Sequence, residues 1–131
     1  MNNAKTYEIS ISKTLNYNSD DLTDVISSAV YDIGYWCTID NSTDVWEEIS
    51  NSLPEDRTFE DVMFAMLDRG NAIQLLDKES DDVWELTMDK LLNGIKMAIE
   101  TQYWDGDFDS IDGEVGDVIF QYALFNEIVF G

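Results

Sequence analysis

The chain has 131 residues, 44% hydrophobic and 12% aromatic, with a formal charge of -21 from 28 Asp plus Glu against 7 Lys plus Arg. That apolar content excludes a disordered acidic tail, and the length suits one domain, residues 1–131, with a single core that needs neither disulfide nor metal. A surface this negative repels phosphates and anionic membranes, which excludes direct nucleic-acid binding and membrane association.

No stretch approaches the roughly 20 apolar residues that span a bilayer, and the opening MNNAKTYEIS lacks a basic start followed by an apolar run. The expectation is a protein neither exported nor membrane-embedded. The single cysteine, Cys37, has aromatic and β-branched neighbours and reads as a buried small hydrophobe, in keeping with a cytoplasmic setting.

In chain order, residues 7–12 alternate Tyr7, Ile9 and Ile11 with Glu8, Ser10 and Ser12, the pattern of a half-buried first strand. Leu22, Val25, Ile26, Ala29, Val30 and Ile33 then fall at helical spacing, with Asn18 or Ser19 as N-cap, Asp20 and Asp21 in the first turn and Gly34 as the stop. Residues 35–39 are aromatic and β-branched, a second strand; residues 40–44 have turn chemistry. Residues 45–50 fit a short strand or a turn of helix, and residues 51–56, with the only proline, a loop. Thr58-x-x-Asp61 opens a capping box for a helix carrying Phe59, Val62, Met63, Met66 and Leu67 and stopping at Gly70.

Residues 72–76 and 83–87 form a hairpin around a polar tip, with Ile73, Leu75, Trp84 and Leu86 apolar. Thr87 caps a helix that keeps its period from Met88 to Tyr103 despite Gly94, a residue that costs up to about 1 kcal/mol relative to Ala. After the loop DGDFDSIDGE, residues 113–125 are apolar around nearly the whole helical circumference and predict a buried helix; residues 126–131 predict a terminal strand. Helices and strands mixed along one chain argue an α+β domain: a largely antiparallel sheet of four to five strands packed with about four helices.

Histidine is absent, which removes the commonest general base and transition-metal ligand, and no Gly-rich phosphate loop is present. With so many acids, a carboxylate pair for hydrolysis carries no information by itself. Asp105, Asp107 and Asp109 begin like a calcium loop, but Ser110 stands where that loop needs glycine and Gly116 where it needs the closing Glu. The reading is therefore non-enzymatic, with no catalytic residue, metal or cofactor.

What remains is the charge pattern. Asp20, Asp21 and Asp24 lie on one helix, Glu60, Asp61 and Asp68 on another, Glu79, Asp81 and Asp82 at the hairpin tip, and Asp105, Asp107, Asp109, Asp112, Glu114 and Asp117 around the last loop. Carboxylates three or four residues apart on a helix have Cβ atoms about 5 to 6 Å apart, near the spacing of successive phosphates. A rigid surface of them imitates a DNA backbone and seeks a basic DNA-binding channel.

Tyr35-Trp36-Cys37 after a helix, Val83-Trp84-Glu85-Leu86-Thr87 leading to Leu91-Leu92-Asn93-Gly94-Ile95, and the ending Gln121 to Gly131 together resemble a group of small acidic proteins encoded in phages and prophages of Gram-positive bacteria. Asn126 departs from the glycine expected there, which leaves the local backbone open. The resemblance implies a phage origin, action in the cytoplasm of the infected host, and an anti-CRISPR or anti-restriction role. The expected partner is a host nuclease or CRISPR effector, Cas9 foremost. The alternative is a phage accessory or structural protein working as a homo-oligomer, a homodimer for instance, with residues 122–130 partly exposed as its interface.

Overall fold

A computed structural model describes residues 5–131; residues 1–4, which open the stretch read for a leader, lie outside them. The element order is α1 (Ser19–Asp32), β1 (Cys37–Ile39), α2 (Asp44–Ser52), α3 (Phe59–Asp68), β2 (Ile73–Asp77), β3 (Val83–Leu86), α4 (Met88–Glu100) and α5 (Gly113–Phe125). The class is α+β. The sheet has three antiparallel strands in the order β1-β2-β3 among the described residues, fewer than the four to five expected, and there are five α-helices rather than four.

Each helix starts where its side chains can take over the unpaired N–H groups of the first turn. Asn18 with Asp21, and Thr58 with Asp61, form reciprocal capping boxes; Thr43, Thr87 and Asp112 cap α2, α4 and α5. All five carry an acid in the first turn and none a base in the last, so the helix dipoles favour charge at one end only.

The nearly all-apolar α5 is the central rod. It packs against α1 on one side and α4 on the other, while α1 also meets α3, and α3 meets α2. Every residue of α5 from Val115 to Ala123 is buried. The sheet lays Ile73, Leu75 and Leu86 onto this helical layer, completely buried, in the register Ile73 opposite Leu86 and Leu75 opposite Trp84. Its other face, with Thr38, Val83 and Glu85, is open to solvent.

Three expectations are corrected, and the choice left open for residues 45–50 is decided. Residues 7–12 form no strand: their alternation is real, but no sheet edge lies beside them, and Tyr7, Ile9 and Ile11 stand exposed. The second strand begins at Cys37 because a 3-10 turn, Ile33–Tyr35, follows α1 directly. Residues 45–50 belong to α2, since Thr43 accepts the Trp46 N–H at 3.1 Å and Trp46 and Ile49 then share the buried side. Residues 126–131 join no sheet. Instead Gln121 Oε1 accepts the N–H groups of Val129 and Phe130 at 2.8 and 2.7 Å, and Phe130 stacks on Trp36 at 5.0 Å between ring centroids. Asn126 resolves its own question by adopting the left-handed conformation at φ 59°, where it ends α5 with its N–H on Tyr122 O.

Candidate functional site

The acids divide by what their carboxylates do. Asp20, Asp24, Asp68, Asp109 and Glu114 are exposed, as are Glu79, Asp81 and Asp82 at the hairpin tip. Asp21, Asp61 and Asp112 are also exposed or half-buried, but their oxygens are engaged in helix caps; Glu60 is half-buried on α3. Asp117 is corrected outright: it is 6% exposed and belongs to the core, accepting from Tyr35 OH at 2.6 Å, Trp36 Nε1 at 2.8 Å and Gln121 Nε2 at 2.9 Å.

Parts of three predicted clusters lie around the N-terminal half of α1, whereas Asp112 and Glu114 flank Gly113, which packs beside Asp32 at the other end of that helix. Asp20 shares an open cleft with Asp61 and Asp68 of α3, into which Asp56, Arg57 and Arg69 also face. Asp21 and Asp105 both lie near Tyr17, whose hydroxyl is held above its ordinary pKa first by burial and then by those two negative charges. The hairpin tip stands apart. Asp77, where it begins, pairs with Cys37, just past the far end of α1, and a helix of 14 residues spans about 21 Å.

The last loop is held rigidly. Tyr17 donates to Gly106 O at 3.2 Å and sets its ring edge-on to Phe108 at 4.9 Å; Trp104 is buried against Phe108 and donates from Nε1 to Asp107 O at 3.1 Å. Asp105 Oδ1 accepts the Asp107 N–H at 2.8 Å and the Ser110 hydroxyl at 2.9 Å, which holds its carboxyl below the usual range. Asp107 in turn accepts the Asp109 N–H at 3.0 Å. These carboxylates are turned onto their own loop rather than toward a common centre, and no group of three acids or thiols among the described residues is arranged to hold a metal ion.

Few bases offset this surface. Among the described residues the one ion pair is Lys96 with Glu100 at 3.7 Å, both well exposed, so the acids around α1 have no salt-bridge partner. Composition had also hidden Asp56 and the two arginines of the cleft, because they sit in the loop and helix end that only folding brings beside α1.

Cys37 is 3% exposed, and burial foremost, then the negative charges of Asp117 and Asp77 against the opposing pull of Lys78, pushes its thiol up to about 12 from 9.0. Tyr35 has a half-exposed ring, but its hydroxyl end is withdrawn from water and donates to Asp117, and it is likewise pushed up from 10.0 to about 12. Both folded values exceed the unfolded ones, so the stabilisation is complete below pH 9.0 and is lost as pH rises toward about 12. Thermal melts across that range should show a falling midpoint, with a smaller fall for Tyr35→Phe, and the thiol should react with maleimide only after unfolding. A prompt reaction in the native protein would contradict the burial argument.

No family model, curated protein or solved structure matches this chain. No helix among the described residues is long and apolar enough to cross a membrane.

Proposed function

We propose that this protein is a non-enzymatic inhibitor that presents an acidic DNA-mimicking face to the basic DNA-binding surface of a host defence nuclease, a CRISPR effector such as Cas9 or a restriction enzyme. The observation that carries the reading is the gathering of Asp20, Asp61 and Asp68 around one cleft and of Asp21 and Asp105 beside Tyr17, with no ion pair to any of them among the described residues although Arg57 and Arg69 face the same cleft. Their backbones are fixed by caps and by the Tyr17, Phe108 and Trp104 cluster. Preset charges of this kind steer association with a positive channel and meet it without the ordering cost of a flexible polyanion.

The test is competition. Tagged protein is mixed with Cas9 and with restriction enzymes, with and without guide RNA and target DNA, at low and high salt. The expected result is capture of the DNA-free nuclease, weakened by salt and lost when DNA is added. Asp20→Asn, Asp24→Asn, Asp68→Asn and Asp109→Asn together remove charge without touching a cap, and should weaken capture about tenfold or more. Neutralising Glu79, Asp81 and Asp82 at the hairpin tip should matter less. Equal capture of a nuclease already carrying its target DNA would overturn the proposal.

A further inference from the structure

Around the C-terminal end of α1, away from the cleft at Asp20, the surface carries three tyrosines. Tyr31, in the last turn of α1, is 93% exposed; Tyr35, in the 3-10 turn that follows, is 53% exposed; Tyr103, just after α4, is 38% exposed. Tyr31 stands eleven residues beyond Asp20, about 17 Å along a helix that rises 1.5 Å per residue. Two of the rings are fixed through their hydroxyls. Tyr35 donates to Asp117 at 2.6 Å and Tyr103 to Glu114 at 2.7 Å. Both acceptors belong to the start of α5, so one helix end sets two aromatic side chains and leaves part of each ring open to solvent.

The charges around these rings have one sign. Asp32 follows Tyr31 in sequence, and a Cβ at Gly113 would lie 3.1 Å from its own, so Asp32 is beside the turn that carries Asp112 and Glu114. Burial first, and then Asp117 and Asp32, hold the Tyr35 hydroxyl above its ordinary pKa; burial first, and then Glu114, Asp112 and Asp117, do the same for Tyr103. Among the described residues no base acts on either hydroxyl. The two segments that build the face, residues 14–56 and 97–131, contain no lysine or arginine.

The face of an aromatic ring attracts a cation, and carboxylates beside it add direct charge attraction. Among protein cations the guanidinium suits both at once, because its plane stacks on a ring while its fork donates to a carboxylate; an ammonium is a point charge without such a plane. Tyrosine and arginine are also residues on which the binding energy of protein interfaces concentrates. We infer that the face formed by Tyr31, Tyr35 and Tyr103 docks an arginine-bearing surface of a partner protein, with guanidinium groups stacked on the rings and donating to Asp32, Asp112 and Glu114. A second copy of this chain does not fit that role. Its two arginines, Arg57 and Arg69, face its own Asp20 cleft and donate to Ser50 and Ser52. The face lies apart from the acids that carry the proposed function, and it calls for no particular enzyme.

The test titrates an octa-arginine peptide, and octa-lysine at equal charge, into the full chain labelled with 13C in its tyrosine rings, at physiological ionic strength. The signals of Tyr31, Tyr35 and Tyr103 should move, while that of Tyr7, 82% exposed but on a stretch bearing Lys5 and Lys13, should stay. Octa-lysine should bind about fivefold more weakly. Tyr31→Ala should weaken octa-arginine binding about threefold, the size of one exposed cation–π contact, and Tyr31→Phe should bind like the parent. The side chain stands in solvent, so neither change disturbs the fold. Unmoved signals at the three rings, equal binding of the two peptides, or an affinity untouched by Tyr31→Ala would each overturn the inference. Ring shifts with octa-arginine but no nuclease captured would support this face and remove the proposed function; nuclease capture with the three rings unmoved by the peptide would do the reverse.

Discussion

Replacing Asp117 by Ala is expected to destabilise the protein by about 3 kcal/mol or more, a large share of the 5 to 15 kcal/mol typical of a domain. The carboxylate sits inside α5 with no ion pair to it among the described residues, and it is tolerated there because three donors converge on its two oxygens. It also starts a relay: Gln121, held by Asp117, accepts both N–H groups of the tail, and the tail brings Phe130 onto Trp36. Truncation leaves the indole N–H of Trp36, a residue only 2% exposed, without a partner, at a cost of about 1 to 3 kcal/mol, and loosens Gln121. Tyr35, with its exposed ring, can turn to water. Asp117→Asn keeps an oxygen for Trp36 and Gln121, while the Tyr35 hydroxyl can accept from the new amide, so it should lose less than half as much. Guanidinium unfolding would measure both, and pairing Asp117→Ala with Trp36→Phe should recover part of the loss by removing the orphaned donor. A midpoint for Asp117→Ala within error of the parent would show that the network contributes nothing.

Asp117 also shows how far the sequence could be read. Counting charge placed it on the acidic surface, yet the same sequence shows residues 115–123 apolar around the helix, and an acid within such a run has no route to solvent. The residue was legible from its position, not from its type. Local signals carried well elsewhere. The Thr58-x-x-Asp61 box, the Asn18 cap and the hairpin all form as their spacing implies, because each depends on contacts within a few residues. Thr43, followed by Asp44 and Glu47 with Trp46 and Ile49 on one side, held an equally good helix start that the β-branched Val45 obscured. Residues 7–12 and the tail could not be read this way. Alternation says which side chains share a face, but whether a strand forms depends on a free edge elsewhere in the fold, and no local pattern encodes that. The acidic site fell between these cases: its clusters were visible, but the gathering of parts of them around α1 required the α1 to α3 packing and the aromatic anchor of the last loop.

Gly116→Ala should destabilise by about 2 kcal/mol even though alanine is the better helix former by up to about 1 kcal/mol. A Cβ at Gly116 would press into the backbone of α1, against Ala29 N, with Ala29 Cα and Ser28 C each at 2.7 Å. Those atoms belong to a helix that cannot yield as a side-chain tip can, so α1 and α5 must separate. Val25, Ile26, Ile119 and Phe120, all at 0% exposure, would lose contact when they do. Gly94 faces the same limit across α4, where a Cβ would strike Ile119 O and stand 2.9 Å from the Ala123 Cβ. What reads along the chain as a weak point in α4 is therefore the condition for its close approach to α5. The two substitutions squeeze one helix from opposite sides, so the double variant should depart from additivity. Gly34 supplies the control. A Cβ there meets nothing within 4 Å, and Gly34→Ala should be neutral or stabilise by about 0.4 to 1 kcal/mol through the unfolded chain. Chemical unfolding of the three variants distinguishes the cases, and a Gly116→Ala protein at least as stable as Gly34→Ala would mean that the helices can part at no cost.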